Sequence, residues 1–431
     1  MDQIQAQLAA QLTTYQKLLN QVIQIQSVRG TATAQAPYGP GPKAAVTQAL
    51  AIAASFGLQT HLIADRVGYA ELSGEDADYI GVLGHLDVVA AGDDWHSAPF
   101  ALTVAGDKMF ARGVLDNKGP IMGALFALAL LKQNRVPLKH SIRVMFGTDE
   151  ESGSSDIPYY LAQQPAPIAG FTPDGKYPVV YAERGLVGLS LTTTLPQAAL
   201  AQLTALSGDF GAAYIPDHAQ MQLNGRTYRY TGVRAPSNAP DTGDNVIGQL
   251  AADLAQASGE LGEYGRWLAG VMADTDGTHL GVAYHDAISG ALQQSVYAIT
   301  KVAHGLQLDL SMRYPVTMTQ EMLLADLHQH LPAHTQVEVK REVPRLYRDP
   351  DQPEIQIMSQ VYGEVTGLAN HPVSTTGITY ARAMPNIVAF GPSFPGQRGI
   401  AHKGDEWLKI SDWLTMMTID YHAMARLANE I

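Results

Sequence analysis

The run Gly119-Pro120-Ile121-Met122-Gly123-Ala124-Leu125-Phe126-Ala127-Leu128-Ala129-Leu130-Leu131 carries no charged side chain over roughly three and a half helical turns. A helix that is apolar all round has no face to give to water, so it must be buried. Pro120 suits the first turn, where its missing N–H costs nothing. A strand-like stretch, Ser141-Ile142-Arg143-Val144-Met145-Phe146, follows. Upstream, helices are expected near residues 3–26 and 43–57, separated by the loop "SVRGTATAQAPYGPGP", with strands near 60–72 and 79–89. Such alternation predicts a mostly parallel sheet flanked by helices, with ligands collecting beyond the carboxyl ends of its strands.

The pattern changes after "VVYAERG" at 179–185. Antiparallel-looking strands follow, including a hairpin through Asn224-Gly225, then a helix near 245–257. In "LQLDLSMRYP", Leu306, Leu308, Leu310 and Met312 alternate with Gln307, Asp309, Ser311 and Arg313, which reads as a strand covered on one side. A helix (319–331) and a strand (335–343) follow. Helix-like 352–367, the apolar "NIVAFG" and a terminal helix return to the first style. A chain of 431 residues exceeds the usual size of one core. The expectation is an α/β domain, 1–183 plus 346–431, with a smaller α+β domain, 184–345, inserted into it.

Composition narrows the chemistry. A formal charge of −13 without basic patches argues against nucleic acid or an anionic membrane as partner. The chain has no cysteine, so disulfides, thiolate zinc sites and a cysteine nucleophile are excluded. The start, "MDQIQAQLAAQLTTYQKLL", is polar and helically periodic, unlike a signal peptide or a membrane span, and a cytoplasmic location is expected. The prolines of "PYGPGPK" remove the amide donors that a phosphate loop requires.

The strand at 141–147 runs out into "GTDEESGSSD", where Asp149, Glu150 and Glu151 adjoin. Three adjacent carboxylates near a strand end either face solvent or share a cation. Other polar groups stand at comparable places: His85 and Asp87 in "YIGVLGHLDVV", Asp116 before the apolar helix, Asp174 in "FTPDGKYP" and His402 in the glycine-rich "GIAHKGDEW". Singly, each has an ordinary explanation: a hydrogen-bonded His-Asp pair, a helix cap, a turn aspartate, a surface histidine. Jointly they offer two imidazoles and several carboxylates without a thiolate, a set suited to a pair of divalent ions such as zinc. If His85 and Asp87 share a strand face, the carboxylate can orient the imidazole.

The series Gly84-His85-Leu86-Asp87, Gly113 to Pro120, Asp149-Glu150-Glu151-Ser152-Gly153, Pro173-Asp174, Thr379-Tyr380-Ala381-Arg382 and His402 resembles the co-catalytic zinc peptidases that include aminoacylases, carboxypeptidases and desuccinylases. It is most similar to their dipeptidase V branch. The resemblance implies a dinuclear metallopeptidase that cleaves dipeptides or short peptides, with zinc as the ion and cobalt or manganese as alternatives. By it, His85 and Asp174 hold one ion, Glu151 and His402 the other, and Asp116 bridges them. Glu150 matches the general base and Asp87 the residue that orients His85. Arg313 matches an arginine that grips the substrate's carboxylate, Gly377 belongs to a segment lining the cleft, and the inserted domain corresponds to a lid. A monomer or homodimer is expected.

The lid departs from the family in two places. A histidine expected there falls on Pro236 and an asparagine on Ala213, so neither position can donate a side-chain hydrogen bond to a tetrahedral intermediate. Arg234, Asn238 and His279 are nearby polar candidates. A deacylase or desuccinylase of the same fold, or a weakly active or non-catalytic peptide-binding relative, are the alternatives these changes raise.

Overall fold

The computed structural model describes residues 3–397 and 399–431. The chain forms two compact units. The first comprises the described residues up to Tyr181, Arg348–Val373 and Ile378–Ile431, and the second comprises Ala182–Tyr347 and Ser374–Gly377.

In the first unit the strands run in the order Gln59–Ile63, Val67–Leu72, Ser141–Gly147, Tyr79–His85, Ala169–Thr172 and Ile387–Ala389, with Val180 paired to Ala389 at the far edge. The middle four are parallel, with Tyr79 opposite Ser141, Ile80 opposite Ala169 and Ile387 opposite Gly170. Antiparallel strands flank them on either side. The strand Tyr79–His85 is buried throughout, as a central strand covered on both faces must be. The chain passes from it to Ser141–Gly147 on one side and then to Ala169–Thr172 on the other. That reversal opens a crevice at the carboxyl ends of these strands.

The apolar run becomes the helix Lys118–Gln133, buried from Lys118 to Leu131. Its Phe126 stacks on Tyr15 at 4.3 Å and meets Trp413 of the terminal helix Ile410–Glu430 edge-on at 6.0 Å. Each such fully buried large side chain contributes about 1.5–3 kcal/mol of burial free energy. No helix among the described residues is long and apolar enough to cross a membrane.

Three expectations are corrected here. The first helix is two, Gln3–Ala10 and Leu12–Ile23. The strand expected over 60–72 is a hairpin that turns through Ala64, Asp65 and Arg66, with Ala64 and Asp65 at left-handed φ of 51° and 56°. The strand expected over 79–89 ends at His85. Beyond it the Leu86 N–H donates to Gly147 and the Val88 N–H to Ser27, so Asp87 lies past the strand and not on its face.

The second unit is built on an antiparallel sheet in the order Gln293–Val302, Gly305–Tyr314, Gly185–Thr194 and Thr335–Val343. The alternation predicted for 306–313 holds: Leu306, Leu308, Leu310 and Met312 are fully buried. They pack in a core with Leu250 and Leu254 of the helix Val246–Leu254. Asn245 caps that helix by accepting from the Ile247 N–H at 3.1 Å. The Asn224-Gly225 hairpin forms with both residues at positive φ, 50° and 77°. The helix Glu260–Val271 was not foreseen. Three glycines lower its propensity, and Gly265 owes its place to packing, because a methyl group there would strike the backbone of Leu254 and Ala255.

Candidate active site

Three parallel strands deliver their carboxyl ends to one place in the first unit. His85 ends its strand and is fully buried. Its Nδ1 lies 2.9 Å from the main-chain oxygen of Asp87. A carbonyl only accepts, so Nδ1 carries a proton and Nε2 is left to face Asp116 Oδ1 at 3.0 Å and Asp174 Oδ2 at 3.7 Å. Burial alone would depress the imidazole's pKa; the charge of Asp174 and the hydrogen bonds to Asp116, Asp174 and Asp87 overcome it and hold it well above its ordinary value.

Asp116 offers a different oxygen to each imidazole, Oδ1 to His85 and Oδ2 to His402 Nε2 at 2.9 Å. His402 also lies 3.0 Å from Glu151 Oε1. The loop that carries His402 is bent, with His402 itself at a left-handed φ of 62°. That is uncommon for a side chain of this size and is tolerated where surrounding structure imposes it. Hydrogen bonds accepted by Asp116 and Glu151 push its pKa up to about 11.

The acidic turn is organised by Asp87. Its Oδ1 accepts from the Glu150 N–H at 3.3 Å and its Oδ2 from the Glu151 N–H at 3.2 Å, at the start of the short 3₁₀ turn Glu150–Ser152. The nearest partner of His85 is thus the main chain of Asp87, while its carboxylate, 3.5 Å from Nδ1, secures the two glutamates. Burial and the charge of Asp174 raise the pKa of Glu150 well above its ordinary value. Burial, offset in part by His85 and reinforced by Asp116, raises that of Asp174 to about 7.

Five carboxylates, those of Asp87, Asp116, Glu150, Glu151 and Asp174, therefore gather around two imidazoles, His85 fully buried and His402 about half exposed. Ligand atoms of His85, Glu150 and Asp174 lie within 4.8 Å of one another, as do those of His85, Asp116 and Glu151. Two imidazolium charges cannot balance such a set, and nitrogen and oxygen donors without sulfur fit hard or borderline divalent cations.

Several residues whose individual roles the sequence does not reveal hold this arrangement. Asn117, fully buried, accepts from the His85 N–H at 3.3 Å and donates to Pro173 O at 2.5 Å, so one amide ties together the segments bearing His85, Asp116 and Asp174. Gly84 is required beneath it, since a methyl group there would collide with Asn117. Tyr380 lays its ring edge-on to His85, with centroids 6.3 Å apart, and donates its hydroxyl to Asp156 at 2.7 Å. Asp149, which sequence alone gave no role, is buried, pairs with Arg29 and accepts from the Ser155 N–H at 3.0 Å. Their roles are not legible locally, because each acts on the main chain or on residues of other segments.

The remaining predicted residues lie in the second unit. Arg313 donates through Nη1 to Thr376 O at 2.6 Å, and Gly377 follows in the same segment, its N–H donating to Thr375 Oγ1 at 3.1 Å. Ala213 and Pro236 are neighbours across a short ladder in which Tyr214 faces Pro236 and the Ser237 N–H donates to Ala213 O at 3.0 Å. Of the candidate replacements, Arg234 is engaged by Asp209 and Asp217 and stacks on Tyr214, while Asn238 and His279 are exposed.

A Bacillus subtilis (strain 168) protein named "Putative dipeptidase YtjP" is 31% identical to this chain, over 94% of it and 95% of its own length. Human carnosine dipeptidase 1 shares the fold, with a TM-score of 0.63 at 13% identity over 98% of each chain. So does an M20 family metallo-carboxypeptidase from Sulfolobus solfataricus, with a TM-score of 0.62 at 17% identity over 99% of each. The model of Peptidase family M20/M25/M40 matches residues 81–426. With that span of the chain matched and the acid and histidine cluster inside it, the protein belongs to Peptidase family M20/M25/M40.

Proposed function

We propose that this peptidase is a metal-dependent dipeptidase with two divalent ions, zinc in the native state. The observation that carries the reading is Asp116 set between two imidazoles, with one oxygen on His85 and the other on His402. A carboxylate so placed is suited to bridge two cations. His85 and Asp174 would hold one ion and Glu151 and His402 the other. When bound, such a pair supplies Lewis-acid polarisation of a scissile carbonyl and acidifies an attacking water.

The chain's own part follows from where its acids stand. Glu150 takes the water's proton on its carboxylate and releases it to the leaving amine. Its raised pKa suits that exchange, and bound cations would oppose the rise by favouring the carboxylate. Asp87 fixes the direction of Glu150 through the main chain and that of His85 through its carbonyl. Arg313 is assigned the peptide's terminal carboxylate, for which a bidentate guanidinium is suited, and Gly377 the cleft wall. The name of the Bacillus relative supports dipeptides as substrates.

The test is turnover of a dipeptide panel, with N-acetyl and N-succinyl amino acids alongside, after reconstitution with zinc, cobalt or manganese. Free dipeptides should be cleaved and a chelator should stop the reaction. Preference for the N-acyl substrates would reassign the protein to amide hydrolysis of another kind.

A further inference from the structure

Four residues beyond His402, the carboxylate of Glu406 is fully buried and takes four donors. Its Oε2 accepts from Arg112 Nη1 at 2.6 Å and from the Gly113 N–H at 3.2 Å. Its Oε1 accepts from the Leu115 N–H at 2.8 Å and the Asp116 N–H at 3.0 Å. Successive main-chain N–H groups that converge on one anion form a preorganised nest. Here the anion is a side chain of the protein itself, and the last N–H of the nest belongs to the residue that offers an oxygen to both imidazoles.

Arg112 completes the arrangement. It is as buried as its partner, and its Nη2 donates to Ala90 O at 3.3 Å and Ala91 O at 3.2 Å. The pair thereby joins three segments: the one leaving His85 and Asp87, the one arriving at Asp116, and the one leaving His402. An antiparallel ladder stiffens the join, with Trp407 opposite Phe110 and the Ala111 N–H donating to Glu406 O at 3.2 Å. A buried ion pair is weak evidence of stability, because desolvation offsets its attraction. Its geometry points to another use.

We propose that Glu406, held by Arg112, is a positioning residue for the metal centre: it sets the Asp116 carboxylate and the His402 loop in one frame, and so determines how tightly the second ion is held. This rests on the two-ion reading above. Residues behind metal ligands orient them, and their loss typically lowers metal affinity about 10–100-fold. An amide at this position cannot serve both ends. One of its two atoms becomes an NH₂ and must face either Arg112 or the N–H groups of Leu115 and Asp116. The guanidinium, as the charged donor, retains the oxygen, so the Asp116 end loses its acceptor.

The experiment is a calorimetric zinc titration of the metal-free full chain, unaltered and as Glu406→Gln, with thermal melts of both proteins with and without zinc. The expected result is two ions in the unaltered protein and a loss of about 10–100-fold in affinity for the weaker ion in Glu406→Gln, with a loss of melting temperature that is larger with zinc than without. If Glu406→Gln melts lower but binds both ions as tightly as the unaltered protein, the pair is a core ion pair only and the inference is overturned. If Glu406→Gln does not fold, Glu406→Asp replaces it: the carboxylate keeps its charge for Arg112 but withdraws by one methylene from Leu115 and Asp116. Unchanged zinc affinity there would equally overturn the idea. An unaltered protein that takes up fewer than two ions removes the two-ion reading itself, and this inference falls with it.

Discussion

Glu150 and Glu151 adjoin in sequence but serve different partners. Separate oxygens of Asp87 hold their N–H groups; both carboxylates come near His85, but Glu151 stands with Asp116 and reaches His402 at 3.0 Å, whereas Glu150 gathers with Asp174. Substitution should separate them. Glu150→Gln keeps the volume of the side chain and removes the proton acceptor, so kcat should fall on the order of 10²–10⁴ with metal content unchanged. Glu151→Gln should lose metal as well. Elemental analysis beside steady-state kinetics decides the matter, and near-normal turnover in Glu150→Gln would remove it from the mechanism.

Asp116 leads to a second expectation. If its two oxygens bridge two cations, the purified protein should bind two divalent ions per chain, and Asp116→Ala should weaken both, since the loss of the bridge leaves two positive charges facing each other. A stoichiometry that stays at one in excess metal would refute the dinuclear arrangement.

The sequence displayed the sheet and the cluster to different degrees. The central strands were visible as apolar runs covered on both faces, and the strand Gly305–Tyr314 as the alternation that one-sided burial imposes. His85, Asp116, Glu150, Glu151 and Asp174 were visible as polar groups at the ends of apolar segments, and His402 as a histidine in a glycine-rich loop. Asp87 was found by a strand argument that fails, since the strand ends two residues earlier and the carboxylate works on a turn 63 residues away. The roles of Asn117, Arg112 and Glu406 were not legible, because their partners lie in distant segments and most are main-chain groups, which no local pattern announces.

Asp156 ties stability to pH outside the ligand cluster. It is fully buried and accepts from the Thr148 N–H at 2.8 Å and the Tyr380 hydroxyl at 2.7 Å. Burial, only partly countered by these bonds, raises its pKa to about 7. An unfolded chain releases that proton near the ordinary value of about 4. Between those limits the folded state holds one proton more, so this group's contribution is complete below about pH 4 and is lost as pH rises through 7, with a slope approaching ~1.4 kcal/mol per pH unit. Asp156→Asn stays neutral throughout. Urea midpoints from pH 4.5 to 8 should therefore decline less steeply in that variant than in the unaltered protein, and parallel curves would show that Asp156 is ionised in the folded state.

The lid is where the family pattern and these residues disagree. If Arg313 receives a substrate carboxylate, Arg313→Ala should raise KM by roughly 10–100-fold, the equivalent of one charge-assisted contact. Lysine should rescue it incompletely, because one ammonium cannot reproduce two parallel hydrogen bonds. Peptides with an amidated carboxyl terminus should be poor substrates for the unaltered protein. Pro236 lies opposite Tyr214 and Ala213 is tied to the next residue, Ser237, so the two positions are one step apart on the same ladder. If the two mark lost oxyanion donors, Ala213→Asn with Pro236→His should raise kcat on dipeptides, by up to the roughly 10²–10³ that one such donor supplies elsewhere. Pro236 has no N–H, and replacing it adds a main-chain donor as well, so Pro236→Ala is the control that isolates the imidazole. Amidated peptides cleaved as well as free ones, together with no gain from the double change, would mean that this lid serves a different substrate.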